Sequence, residues 1–172
     1  DNWGARIKEV ITGWLGQKKV LKDRVAGGIH VLMFWGFLML STDMFDLATA
    51  NWFSHNVLPN VVRGPWNLIV ETGYTLALIG CLAALIRRVI FTPEKLKGKS
   101  QLEGNFILIL IMTITVTSFF VEAGESTVSS TWEPIGAWVA ATIVPSTSIV
   151  VGAYWMHMLA ISTFLFLIPL SK

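Results

Sequence analysis

Four long apolar blocks divide the chain, at residues 25–48, 66–91, 102–121 and 147–170. Each is about 20 residues or longer, enough at about 1.5 Å per helical residue to cross roughly 30 Å of hydrocarbon. Polar residues fall mainly at the block ends. Asp43 and Asp46 interrupt the far end of the first block, Arg87 and Arg88 close the second, and Glu122 closes the third. Residues 49–65 form a polar, aromatic loop holding Trp52, His55, Pro59, Arg63 and Pro65. Residues 123–146 carry Glu125, Glu133, Pro134 and Pro145 and no basic residue. Their apolar middle, 135–144, is too short to span and is read as a re-entrant or interfacial helix. Residues 1–24 place Trp3, Ile7, Val10, Ile11 and Trp14 at roughly helical spacing among lysines and arginines. That pattern predicts an amphipathic segment on the membrane surface, and a solvated linker helix would fit it equally. The predicted fold class is all-α: an integral membrane bundle of four transmembrane helices (25–172) behind an N-terminal amphipathic segment (1–24).

Composition agrees with this pattern. Of the 172 residues, 53% are apolar and 14% charged, against about 25% charged in an ordinary soluble domain. The mean hydropathy is +0.62. A net charge of +2 gives no argument for nucleic acid. The placement of charge says more than its sum. With the N-terminus in the cytoplasm, that side holds Arg6, Lys8, Lys18, Lys19, Lys22, Arg24, Arg87, Arg88, Lys95, Lys97, Lys99 and Lys172, leaving only Arg63 outside. This is the positive-inside pattern of a multi-pass protein of a prokaryotic cytoplasmic membrane. Trp52, Trp66, Trp132, Trp138 and Trp155 then fall near the outer interface, which favours indole. The first apolar run is too long for a signal-peptide core. The single cysteine, Cys81, excludes an internal disulfide, a CxxC pair and an all-cysteine iron–sulfur site within this chain. No GxGxxG, P-loop, HExxH or GxSxG pattern occurs, so nothing points to nucleotide binding or hydrolysis.

Candidate chemistry rests on three histidines. His30 and His157 lie inside predicted spans, and His55 lies in the outer loop. An ionisable side chain in hydrocarbon is costly and is normally paired, turned to a cavity or bound to a ligand. Neutral imidazole is a common axial ligand of haem iron; a hydrogen-bonded histidine packed between helices is the plain alternative. By residue count His30 sits about 7 Å and His157 about 18 Å from the basic side. This mismatch argues against one shared iron and for two haems. For His55 a solvated loop residue is the default and a ligand the minor reading. Asp43, Asp46, Glu71, Glu122 and Glu125 collect toward the outer face. Asp43, Glu71 and Glu122 are candidates for quinone or proton chemistry, against the plainer reading of interfacial acids. Gly27, Gly28, Gly36, Gly73 and Gly80 leave room for close helix packing or for a macrocycle.

Three stretches carry a family resemblance. The run from Lys19 through Asp23, Arg24 and His30 into Val-Leu-Met-Phe-Trp-Gly-Phe-Leu-Met-Leu resembles the membrane subunit of heterodisulfide reductase, which belongs with the gamma subunit of respiratory nitrate reductase. The final stretch, from Trp155 and His157 to Pro169, Ser171 and Lys172, resembles the last span of the same group, and the segment from Thr117 to Glu122 matches a glutamate-bearing helix end there. The resemblance implies a helical domain binding one or two b haems, with His30 and His157 as axial ligands. It also implies electron exchange with a quinone-type carrier and a cytoplasmic iron–sulfur subunit or domain as partner. Relatives usually carry a further span before the basic segment and a further ligand histidine just beyond the position of Lys172. The nitrate reductase gamma subunit has a second histidine about where Leu40 stands. The sequence is therefore expected to be part of a longer polypeptide. The implied function is a non-catalytic haem b electron-transfer subunit of a quinone-linked respiratory oxidoreductase; a haem-free membrane anchor for a catalytic partner is the alternative.

Overall fold

The computed structural model describes residues 2–18, 20–53, 59–91, 99–124, 131–143 and 146–167, with backbone alone for 44–53, 60, 99 and 100. Among the described residues six α-helices follow in order: α1 Trp3–Glu9, α2 Arg24–Phe53, α3 Asn60–Ile90, α4 Lys99–Ala123, α5 Pro134–Ile143 and α6 Thr147–Leu167. Among the described residues there is no strand. Four helices, α2, α3, α4 and α6, are long and apolar enough to cross a membrane. The chain is all-α with four candidate spans. α5 has ten residues and covers about 15 Å, half the hydrocarbon thickness.

Local chemistry sets the helix starts. Asp23 Oδ1 accepts from the N–H groups of Val25 and Ala26 at 3.2 and 3.1 Å, satisfying donors that the first turn of α2 leaves open. Pro59 precedes α3, and its carbonyl accepts from Val62 and Arg63. α3 begins six residues before the start expected at Trp66 and carries Pro65 within it. As a proline, Pro65 has no N–H to donate to the Val61 carbonyl, a loss that membrane helices tolerate. Arg87 and Arg88 occupy the last turn of α3, where cations favour the helix dipole. The loop expected over residues 49–65 is shorter than its composition suggested, because α2 runs on to Phe53.

α2 and α3 pack at backbone contact. A Cβ built on Gly36 would lie 2.5 Å from the Ala77 nitrogen and 2.9 Å from the Gly73 carbonyl oxygen. One on Gly73 would meet the Leu40 nitrogen at 2.7 Å, and one on Gly80 would meet Met33 Cγ at 2.6 Å. Small residues at such crossings let van der Waals packing replace a hydrophobic driving force that lipid does not supply. Gly27 instead admits the turn at Val20 and Leu21, while Gly28 faces open space. α4 lies against α3 and α6. Phe37 and Phe164 bring α2 and α6 together with ring centroids 6.2 Å apart. Large apolar side chains such as Leu159, Phe166 and Val89 point outward, as a lipid-facing surface requires. The best-buried cluster, Val70, Tyr74, Phe119, Ala123 and Val139, sits at the α5 end.

The N-terminal segment continues from α1 into a wider turn, Val10–Leu15, and folds back on α2. Trp14 meets Phe34 edge to face at 5.9 Å. Gln17 holds a left-handed backbone, φ 51°, and its side-chain amide donates to the Trp14 carbonyl. Trp3, Ile7, Val10 and Ile11 stay more than half exposed as an apolar stripe, with the Arg6 guanidinium over the Trp3 ring at 5.8 Å.

Candidate functional site

The polar residues of the membrane segment gather in two regions at different depths. The first surrounds His157, in the middle of α6. Its Nδ1 lies 3.1 Å from the Ile114 carbonyl oxygen, 3.1 Å from Thr117 Oγ1 and 3.4 Å from Ser118 Oγ, all on α4. The threonine hydroxyl already donates to backbone carbonyls of its own helix, at Thr113 and Ile114. A carbonyl only accepts. The arrangement therefore suits the tautomer with its proton on Nδ1, which leaves the Nε2 lone pair for another partner. Tying one ring nitrogen to a backbone carbonyl is the way proteins orient a metal-binding imidazole.

Ser118 Oγ also donates to the Ile114 carbonyl of its own helix. Elsewhere in this region the Tyr74 hydroxyl of α3 donates to Asp43 Oδ2 of α2 at 3.4 Å. The ring of Tyr74 packs edge to face on Phe119, with centroids 6.1 Å apart.

The second region surrounds His30, near the start of α2. Its side chain is exposed and borders an apolar groove of about 400 Å³ with Phe34, Phe37, Ala77, Cys81 and Ile111. A smaller groove of about 240 Å³ also borders His30, and there Arg87 and Arg88 join Met33 and Leu108. Gly104 makes space for the Arg88 guanidinium, since a Cβ there would collide with it. Arg87 reaches Asp23 at 3.3 Å.

The Phe37–Phe164 contact fixes the relative depth of the two histidines. His30 lies seven residues before Phe37, and His157 seven before Phe164 on a helix running the opposite way. At about 1.5 Å per residue the imidazoles stand about 20 Å apart along the bundle axis. One iron could not take both.

Glu71 is buried, 2% exposed, and its carboxylate is committed. Oε1 accepts from the backbone N–H groups of Ile135 at 2.8 Å and Gly136 at 2.7 Å, capping α5 from a neighbouring helix. Asn67 donates to Glu133 at 2.7 Å, and the Trp132 ring covers Gly64. These contacts fasten α5 to α3. Glu122 lies near Tyr74 and acts on it electrostatically. His55 and Glu125, and the side chain of Asp46, lie outside the described residues. Sequence reasoning did not single out Tyr74, Thr117 and Ser118 as partners of the site. The available signal was their polarity inside otherwise apolar blocks.

Compared with known proteins, the chain is similar to two oxidoreductases. It is 27% identical over 189 residues to the EtfAB:quinone oxidoreductase of Syntrophomonas wolfei, an alignment covering 97% of this chain and 26% of that protein. It is 29% identical over 175 residues to the probable iron-sulfur-binding oxidoreductase FadF of Bacillus subtilis, covering 97% of this chain and 25% of that one. The chain spans about a quarter of the length of the curated relatives it matches. No family model matches it, and no solved structure does.

Proposed function

We propose that this chain is the b-type haem-bearing membrane part of an oxidoreductase, carrying electrons between a lipophilic quinone-type carrier and an iron–sulfur partner on the cytoplasmic side. The observation that carries this reading is His157: an imidazole in mid-span whose Nδ1 is tied to the Ile114 carbonyl, so that Nε2 is presented for a metal. The fit of the donor set supports it further. His30 borders an apolar groove within the size range of ligand pockets, about 300–1,000 Å³. Arg87 and Arg88 stand beside His30 with charge that matches the carboxylates of a haem. Bound haem supplies one-electron transfer at its iron. His30 and His157 would each hold a separate haem. The names of the two relatives, one a quinone oxidoreductase and the other iron–sulfur-binding, support both ends of the electron path. With one cysteine in this chain, a cluster held by four cysteines must lie in another segment or subunit. The charge asymmetry supports a cytoplasmic N-terminus, which puts His30 nearer the partner.

The test is a reduced-minus-oxidised visible spectrum of the purified full-length protein, with its partner, in nanodiscs. A b-type α band is expected. His157→Ala should remove one component of the band and His30→Ala another. A wild-type spectrum without such a band overturns the reading.

A further inference from the structure

The segment that folds back on α2 carries an apolar face outside the four-helix bundle. At about 100° per helical residue, Trp3, Ile7, Val10, Ile11 and Trp14 fall within about a third of the circumference. All five are more than half exposed, Trp3 at 67% and Trp14 at 58%. Arg6 borders one edge of this arc, its guanidinium 5.8 Å from the Trp3 ring centroid, and Lys8 lies past the other edge. Glu9 falls nearly opposite the arc. Lys18 and Lys22 follow, both exposed, before α2 begins. Residues 1–24 hold six basic side chains against Asp1, Glu9 and Asp23. Of these acids Asp23 is already engaged by the α2 cap and Arg87.

The edge-to-face contact of Trp14 with Phe34 fixes the depth of this face. Phe34 lies ten residues after Arg24, about 15 Å along α2. Helical side chains lean back toward the N-terminus by about one turn, which brings the ring to about 10 Å from Arg24. The headgroup layer takes up about 5–7 Å on each side of a bilayer. The Trp14 indole therefore stands where headgroups meet acyl chains, the level at which interfacial helices lie and indole is favoured. An apolar face at that level, bordered by cations, is complementary to lipid of negative charge.

We propose that the face from Trp3 to Trp14 docks on anionic phospholipid, in the leaflet at the end of the bundle that carries Arg87 and Arg88. The indoles, Ile7, Val10 and Ile11 enter the acyl boundary. Lys8, Lys18 and Lys22 meet the headgroup phosphates. The docking is independent of any haem.

The experiment places a nitroxide at Ile7→Cys or, on the opposite face, at Glu9→Cys in the full-length protein. Both positions are exposed, so the labels leave the packing alone. The wild type, whose single cysteine Cys81 is fully buried, gives the labelling background. The nanodiscs are of phosphatidylcholine alone or with one part in three of phosphatidylglycerol. In the anionic discs dissolved oxygen should relax the label at position 7 several-fold more than an aqueous nickel complex does. The label at position 9 should show the reverse. Changing Lys8, Lys18 and Lys22 together to Gln should lower the docked-to-undocked ratio by on the order of a hundredfold. If position 7 is as open to nickel as position 9 in the anionic discs, the docking is overturned. A label at position 7 shielded from both reagents would mean that protein covers this face, which also overturns it. Equal oxygen-to-nickel ratios with and without phosphatidylglycerol would remove the anionic headgroup as the partner.

Discussion

The α5 end and the basic end of the bundle solve the cost of polarity in a membrane differently. At the α5 end His157, Tyr74 and Glu71 each meet a partner on another helix. At the basic end His30 faces open grooves lined mainly by apolar residues, with Ser41 in one and Arg87 and Arg88 in the other. A closed network fixes its members in place, whereas a groove with a histidine and two arginines has capacity left for a ligand. The difference teaches that one histidine has its geometry set by protein alone. The other depends on what fills the groove beside it.

The largest effect should come from opening the closed end. Glu71→Ala leaves the N–H groups of Ile135 and Gly136 buried with no acceptor, at about 1–3 kcal/mol for each unsatisfied donor. We expect a loss of about 2–5 kcal/mol in thermal or denaturant unfolding in nanodiscs, with faster hydrogen exchange along α5. Glu71→Gln keeps an acceptor oxygen and should recover most of the loss. If Glu71→Ala leaves α5 protected, the carboxylate does not hold that helix.

A smaller effect should follow at the crossing that both ends share. Gly36→Ala pushes a methyl against the backbone of Ala77 and Gly73, and forced overpacking of this kind costs about 1–3 kcal/mol. Gly28→Ala, eight residues away on the same helix with nothing within 4 Å, should change stability by less than about 0.5 kcal/mol. Equal responses at the two positions would show that the α2–α3 contact is looser than the structure has it.

The spans were legible because length and continuous apolarity suffice to recognise them, and α2, α3, α4 and α6 fall on the four predicted blocks. α5 was legible for the same reason in reverse, being apolar but too short. Their ends were less so. Pro65 reads as a stop in sequence, yet α3 starts before it, because a proline near a membrane helix end can be accommodated. The histidines stood out singly as charges misplaced in hydrocarbon. Their partners did not, because the pairings of Tyr74 with Asp43 and of Ser118 with His157 join residues 31 and 39 positions apart. Spacing along one helix cannot show such a contact. The role of Glu71 was hidden likewise, since the donors it accepts from are backbone groups 64 and 65 residues away.

The smallest effect belongs to the basic end, at the cap on α2. The N–H of Ala26 first, and then the Arg87 guanidinium and the N–H of Val25, outweigh the opposing effect of desolvation and hold the Asp23 carboxyl below the usual carboxylate range. A carboxyl with a depressed folded-state pKa stabilises the folded form above its unfolded-state pKa, near 4, and loses that contribution as pH falls through the lower folded value. The window therefore lies on the acid side. Because Asp23 is solvent-exposed, the Arg87 pair should be screened by salt while the cap is not. Hydrogen exchange at the Val25 and Ala26 amides, followed from about pH 6 down to about pH 3, should show protection falling with acid in the wild type. Asn is also a good cap but carries no charge, so Asp23→Asn should keep the protection and flatten its pH dependence. If the variant keeps the wild-type acid dependence, another group titrates at the start of α2. The contrast would then lie between two ionisable ends instead of one closed end and one open groove.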